Sequence, residues 1–336
     1  LSLILPLGAV ALLLALAWDR WLGEPPVRWH PVVWMGHYLQ RAGHWLHGRC
    51  AEGQNFKAFW LGSLMWCAGA AMVLIASLLL QGLCLWLAAQ GVWGFVLGAA
   101  IMGVCLKPLL AWRMLVGEVQ AVESHLSSSA HGDLPAARSR LRSLVSRDTA
   151  HLSATEVRES AIESLAENFN DSVLAAVWWF VLLGLTGAAL WRYANTADAM
   201  WGYPGERHGR NWAWAGKWAA RTDDVLAWLP ARWTALLLWV VARFSAPDGG
   251  QPFGWAQLAA QARQTPSPNS GWPMAAMALA LGVRLSKPQR YVLNPEGQGA
   301  QAVHTAQAIA LVGRVGRWGV AMAVLVMVLF ASVVAL

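Results

Sequence analysis

Residues 156–172 read E-V-R-E-S-A-I-E-S-L-A-E-N-F-N-D-S and run directly into V-L-A-A-V-W-W-F-V-L-L-G-L-T-G-A-A-L-W at 173–191. A polar helical pattern thus passes without a linker into a run apolar enough for a bilayer. Glu159, Glu163 and Glu167 recur every four residues, and Asp171 continues the series. At about 3.6 residues per turn, this spacing stacks four carboxylates along one helical stripe, with Asn170 beside them. Ser153 followed by Glu156 predicts a capping box that starts the helix. Like charges four residues apart repel by about a few tenths of a kcal/mol per pair. A divalent cation, an arginine cluster or raised carboxyl pKa values would each compensate. The plain alternative is a solvated helix face. Water-facing helices interleave Lys and Arg at such spacings, however, and no cation stands between Glu159 and Asp171. The pattern favours a role linked to metal or phosphate.

Composition sets the surroundings of this helix. Of 336 residues 57% are hydrophobic and only 13% charged, with mean hydropathy +0.41. A soluble domain carries about 25% charged residues, so the chain reads as an all-α, polytopic integral membrane protein. The net charge is +7, and all 25 Lys and Arg fall within 19–57, 107–172 and 192–317. Basic excess beside spans points to cytoplasmic loops facing anionic lipid. Interleaved basic and aromatic signatures of nucleic-acid binding are absent. The four Cys show no CxxC spacing and read as small core hydrophobes. Many of the 23 Trp flank apolar runs, as an interfacial belt requires.

In chain order, apolar runs fall at 3–18, 58–80, 82–106, 173–191, 228–244 and 318–336, within one continuous membrane domain. About four to six membrane helices follow, with re-entrant or broken segments among them and helical cytoplasmic loops between. The chain begins at Leu1, so a trimmed or re-annotated start is expected. The first run is a span and not a cleaved signal peptide. Prolines 25, 26 and 31 rule out a regular helix over 18–36, which reads as an interfacial turn or a functional one. The stretch 81–90 is expected as a turn on the non-cytoplasmic side. Gly132-Asp133-Leu134-Pro135 opens a second polar helix carrying Arg138, Arg142 and Arg147. Gly184 and Gly187 interrupt the run 173–191, for which a re-entrant or broken helix is favoured. Asn195, Thr196 and Asp198, then Asp223-Asp224, supply oxygen donors of the hard-cation type in loops, or the Asp pair caps a helix start. Arg221 and Arg232 suit phosphate or carboxylate. Residues 245–271 form a Pro-, Gly-, Ser- and Gln-rich loop ending in S-P-N-S-G-W-P (267–273). There a helix over 274–284 would open with free backbone N–H groups, a seat for an anion. No G-x-x-x-x-G-K-[ST] loop occurs.

Taken together, these stretches resemble the CobD/CbiB family, the adenosylcobinamide-phosphate synthases of cobalamin biosynthesis. The resemblance rests on D-R-W-L-G-E-P-P with H-P-V-V-W-M-G (19–36), R-D-T (147–149) and E-S-A-I-E-S-L-A-E-N-F-N-D-S (159–172). It continues through N-T-A-D-A-M-W-G-Y (195–203), A-R-T-D-D-V (220–225), P-A-R-W-T (230–234) and S-P-N-S-G-W-P-M-A-A-M-A (267–278). Ala176 and Ala227 depart from the pattern, where proline and asparagine are common.

The resemblance implies a multi-pass enzyme of the bacterial inner membrane with its active site facing the cytoplasm. Its reaction joins adenosylcobyric acid to (R)-1-amino-2-propanol phosphate with ATP and Mg²⁺. Glu163, Glu167, Asp198 and Arg221 are the expected catalytic residues. Asn168, Asn195, Arg232, Ser267, Asn269 and Ser270 are expected to bind substrate or phosphate. Glu159, Glu163, Glu167, Asp171, Asp223 and Asp224 are the expected metal ligands. Membrane lipid surrounds the chain, and partners are further copies of it or other corrinoid-pathway membrane enzymes. Two rival readings remain open: a Mg²⁺-dependent membrane phospho- or prenyl-transferase, and a non-enzymatic corrinoid carrier.

Overall fold

The computed structural model describes residues 4–51, 53–128, 132–207, 209–245 and 253–335. Leu3, which opens the first predicted run, and 246–252 of the predicted loop lie outside the described residues. The chain is helical almost throughout. In order come α1 (Ile4–Trp21), α2 (Pro31–His47), α3 (Asn55–Ala88), α4 (Val92–Leu106), α5 (Trp112–Leu126) and α6 (Leu134–Leu141). Next are α7 (Ala154–Phe169), a π-helical turn (Asn170–Leu174) and α8 (Ala175–Trp201). A short antiparallel hairpin follows, β1 (Glu206–Arg207) with β2 (Arg210–Asn211). Then come α9 (Lys217–Leu226), α10 (Trp228–Ser245), α11 (Trp255–Ala262) and α12 (Gly271–Leu281). A second hairpin pairs β3 (Leu285–Lys287) with β4 (Tyr291–Leu293) ahead of α13 (Ala302–Ala335).

Four helical stretches among the described residues are long and apolar enough to cross a membrane: Asn55–Ala88, Val92–Leu126, Ala154–Trp201 and Ala302–Val333. The count rises to five if α9 and α10 form one bent span. This is the all-α, multi-pass architecture the composition predicts. Several boundaries differ. No turn occurs at 81; α3 continues to Ala88, because Gln81 is buried and hydrogen-bonded inside the helix packing. The chain reverses at 89–91 instead, where Gly91 takes a positive φ. The last helix begins at Ala302 and not at 318, since nothing between breaks a helix and the arginines at 314 and 317 are accommodated on it.

The chain packs as two compact units. One comprises Leu1–Ala111, Ala175–Ala227 and Met322–Leu336; the other comprises Trp112–Leu174 and Trp228–Ala321. In the first unit, α4 packs between α1 and α3. A Cβ at Gly98 of α4 would stand 2.5 Å from the carbonyl oxygen of Cys84 on α3. Small residues at such contacts let membrane helices approach closely. Only 11% of the apolar window of α3 is buried, so most of that helix presents its side chains to hydrocarbon. Lys107 is enclosed where α4 ends, and its Nζ lies 3.1 Å from Asp19 Oδ1 and 2.7 Å from Glu24 Oε1. Burial works against the Glu24 carboxylate, but hydrogen bonds from His30 and Lys107 prevail and hold its pKa below the ordinary value. The 19–36 turn is thus tied to the end of α4 by charge, not by Trp anchoring alone.

The predicted interruption of 173–191 is found at Gly184, with φ 67° and ψ −151° inside α8. That region of backbone space is open essentially to glycine. The break frees backbone N–H groups on the far side, and Gln81 Oε1 accepts from Thr186 N at 3.2 Å. A side chain from α3 thereby caps the second half of α8 where water is excluded.

In the second unit, Leu115, Val119 and Val122 of α5, Ile162, Leu165 and Phe169 of α7, and Met274–Ala278 of α12 share one core. The predicted capping box is present: Ser153 N donates to Glu156 Oε2 at 2.7 Å and Glu156 N to Ser153 Oγ at 3.3 Å. Asp133 caps α6 as the sequence suggests. Arg147 lies beyond that helix, which ends at Leu141.

Gly184→Ala would place a Cβ against the Gln81 carboxamide in a disfavoured conformation, whereas a Cβ at Gly82 would meet nothing within 4 Å. Gly184→Ala is therefore expected to destabilise the protein by about 1–3 kcal/mol. Gly82→Ala should be neutral or stabilising by up to about 1 kcal/mol. Thermal unfolding of both variants in detergent checks the contrast.

Candidate functional site

The acidic stripe lies on α7 and enters the π-helical turn, as its spacing predicts. Its four members do not share one environment. Glu159 and Glu163 are buried at 0% and 4% exposure, while Glu167 and Asp171 are half-buried. Four-residue steps on a helix of about 3.6 residues per turn drift by about 40° each, which carries the stripe from the core to its edge.

The two buried carboxylates are met by groups from elsewhere in the same unit. Glu159 accepts from Ser286 Oγ at 2.7 Å and pairs with Arg284 at 3.4 Å. Glu163 accepts from the Tyr291 hydroxyl at 2.7 Å and pairs with Arg147 at 3.1 Å. Arg147 also donates to the Ser286 carbonyl at 3.4 Å, tying its turn to the β3–β4 hairpin. Burial, and next the Glu163 carboxylate, pushes the Tyr291 phenol well above its usual pKa, so it stays a donor. Of the three modes of compensation open to the stripe, arginines serve these two members, and hydroxyl donors join them.

Glu167 and Asp171 continue the stripe at the edge. Glu167 feels Asp171 and Glu163 as like charges, and Lys287 and Arg147 as opposite ones. Among the described residues Glu167 makes no hydrogen bond of its own. Asn170 donates to Asp171 Oδ1 at 2.9 Å and accepts from Thr234 Oγ1 at 2.8 Å, a buried link from the π-helical turn to α10. π-helical turns inside α-helices recur at functional positions. Asn168 is turned back on α7, donating to the carbonyl and hydroxyl of Ser164.

Among the described residues no three His, Cys, Asp or Glu side chains form a ready cage for a metal ion. Mg²⁺ does not need one; it takes one or two carboxylates and completes its shell with water and substrate phosphates. The half-buried Glu167–Asp171 pair fits that requirement, whereas Glu159 and Glu163 are already engaged.

The 267–270 turn differs from expectation. The helix after it opens at Gly271, not 274, and ends at Leu281 with Gly282 in the left-handed region. Ser267 Oγ accepts from the backbone N–H groups of Asn269 and Ser270, both at 3.2 Å, so these are capped and not free. Arg232 donates to Asn269 Oδ1 at 2.9 Å and to the Pro268 carbonyl at 3.2 Å. Its guanidinium sits 4.3 Å and 4.9 Å from the ring centroids of Trp228 and Trp272. Arg232, Ser267, Asn269 and Ser270 are thus brought together as one latch.

The remaining expected residues belong to the first unit, and they stand on helices, not loops. Asn195 and Asp198 occupy the end of α8, which no breaker interrupts before Gly202. Arg221, Asp223 and Asp224 lie within α9. The Asp pair falls in the second half of that helix and so is no N-terminal cap. Arg221 is largely exposed and lies 3.6 Å from Asp224, one turn away. Tyr291, Ser286 and Thr234 were not singled out by the sequence. L-S-K and Y-V-L flanking P-Q-R is a hairpin signal, and it places Tyr291 opposite Lys287.

Comparison with known proteins follows the same lines. The family model described as CobD/Cbib protein matches residues 12–312. A cobalamin biosynthesis protein CobD of Chromobacterium violaceum is 38% identical, over 93% of this chain and 94% of its own. A probable cobalamin biosynthesis protein CobD of Methanothermobacter thermautotrophicus is 37% identical, over 89% of this chain and 91% of its own. That of Rhodobacter capsulatus is 35% identical, over 84% and 83%. No solved structure matches.

Removing Arg147 strands a buried carboxylate. Arg147→Ala is expected to cost about 3–5 kcal/mol of stability. The double variant Arg147→Ala with Glu163→Gln should recover part of that loss, because the stranded charge is gone. A double-mutant cycle of unfolding in detergent reads the coupling; strict additivity would show that the pair does not compensate the stripe.

Proposed function

This chain belongs to the CobD/CbiB family of cobalamin biosynthesis proteins, and we propose that it is the ligase that joins adenosylcobyric acid to (R)-1-amino-2-propanol phosphate. Its place in the pathway makes a corrinoid its substrate, and its apolar helices make it a multi-pass membrane protein. In this reading the enzyme works from the inner membrane with its active site open to the cytoplasm.

Making an amide from a carboxylate at neutral pH requires activation. The corrinoid carboxylate takes the terminal phosphoryl group of ATP, and ADP leaves. The amine then attacks the acyl carbon, phosphate departs, and a carboxylate accepts the amine proton. Glu167 and Asp171 would hold Mg²⁺, which would offset the charge of the nucleotide phosphates. The observation that carries this reading is the edge of the stripe, where Glu167 and Asp171 stand half-buried one and two turns beyond Glu163 and its partner Arg147. Carboxyl groups for a hard cation and a guanidinium for a migrating phosphoryl group thus lie along one stripe. Glu163, fixed by Arg147 and Tyr291, sets the position of Arg147 and is the less accessible of the catalytic pair. Glu159 supports the hairpin that carries Lys287.

The purified protein, given adenosylcobyric acid, aminopropanol phosphate, ATP and Mg²⁺, is expected to release adenosylcobinamide phosphate, read by mass spectrometry, and to stop when Mg²⁺ is chelated. Glu167→Gln should lower turnover by about a hundredfold or more with unfolding temperature unchanged or raised. Asp198→Asn and Arg221→Gln should also reduce it. Corrinoid binding with no amide formed under any condition would instead make the protein a carrier.

A further inference from the structure

A cavity of about 550 Å³ lies within the first unit, away from the acidic stripe in sequence and lined by none of its residues. Its walls include Trp29, Trp34, Met72, Ala76, Leu80 and Ala189. The hydroxyls that reach it are already used. Tyr38 donates to the Met65 carbonyl at 2.7 Å, Tyr193 to the Trp66 carbonyl at 3.0 Å and Ser77 to the Val73 carbonyl at 2.7 Å. The interior therefore offers an occupant dispersion and little else. Cavities of this kind exclude water and accept apolar ligands, and the volume falls in the usual range for a ligand site, about 300–1,000 Å³.

Two observations say which apolar ligand. Met72, Ala76 and Leu80 belong to α3, the helix whose apolar window is almost wholly unburied. That wall faces the hydrocarbon, so the groove is open to acyl chains. At the mouth, Trp29 and Trp34 are exposed, as indoles at headgroup level are. Next to Trp29 in the chain is Arg28, exposed and, among the described residues, without an ion pair. Its guanidinium lies 5.9 Å from the Trp29 ring, and its carbonyl accepts from Trp34 Nε1 at 3.0 Å. A cation thus stands beside one wall residue, Trp29, of an apolar slot. Guanidinium is the side chain best matched to phosphate oxygens.

We propose that this groove holds one acyl chain of an anionic phospholipid, with the lipid phosphate paired to Arg28. The site differs from a general lipid annulus in having a shaped interior and a headgroup contact.

Native mass spectrometry of the full chain in detergent tests the proposal, with palmitoyl-oleoyl phosphatidylglycerol and phosphatidylcholine as probes. The wild-type protein should keep one phosphatidylglycerol through a detergent wash that strips phosphatidylcholine. Arg28→Gln should lose the preference between the two lipids. Ala76→Phe, which fills the groove from an exposed position on α3, should lose the retained lipid while its circular dichroism and unfolding temperature stay as in the wild type. Should Ala76→Phe unfold, phosphatidylglycerol carrying a brominated chain provides a second reading, in which the bound chain gives bromine density against Ala76 and Leu80 of the wild type. Equal retention of both lipids by the wild type, retention of none, undiminished retention by a folded Ala76→Phe, or a dimer mass with the groove empty would each overturn it.

Discussion

Two carboxylates with almost no access to solvent must be neutralised within the protein, and the second unit is arranged around doing so. Glu159 and Glu163 are met by Arg284, Ser286, Tyr291 and Arg147, the first three from a segment more than a hundred residues away and the last from the turn just before α7. Burying an unpaired carboxylate costs several kcal/mol even after relaxation. The hairpin and the Arg147 turn are therefore held where they are by the charges they cover. The hairpin is also fixed at both ends. Gly282 reverses the chain after α12, and Val283 N returns to the Ala278 carbonyl at 3.0 Å, the closing bond of a Schellman turn. Asn294, with φ 48°, donates from its side chain to the Val283 carbonyl at 3.0 Å and from its backbone N–H to Gln261 Oε1 at 2.8 Å. A rigid frame on one side of the stripe leaves its edge, Glu167 and Asp171, half-buried and outside that frame.

The first unit solves the opposite problem. There the surroundings are apolar and the polar groups are few, and several are placed with partners from neighbouring segments. Gln81 caps the break in α8, and Lys107 joins Asp19 and Glu24. The hairpin β1–β2 is tied to α2 by His47, which contacts the Asn211 carbonyl at 3.2 Å. In hydrocarbon an unsatisfied backbone group costs several kcal/mol, and these contacts meet that demand at the points where regular helix stops.

Much of this was legible in the residues themselves. The membrane class followed from charge content, the start of α7 from Ser153 and Glu156, and the break in α8 from its two glycines. The stripe was visible because a four-residue period needs no tertiary information. Its partners were not, since Tyr291 and Ser286 reach Glu163 and Glu159 across more than a hundred residues and short strands leave a weak pattern. The turn at 89–91 was misplaced because a buried Gln81 has the composition of a loop residue and the environment of a core one. The N–H groups after Ser267 were expected to be free because a sequence does not say that a neighbouring hydroxyl will reach them.

Both units are discontinuous along the chain, the first built from three segments and the second from two. Neither can therefore be cut out as a contiguous fragment, and a truncation that removes the residues after Ala321 takes away part of the first unit, not an appendage. The ribosome must deliver that last helix before the opening 111 residues have all their neighbours, so insertion of the early helices precedes, by most of the length of the polypeptide, the completion of the unit they belong to.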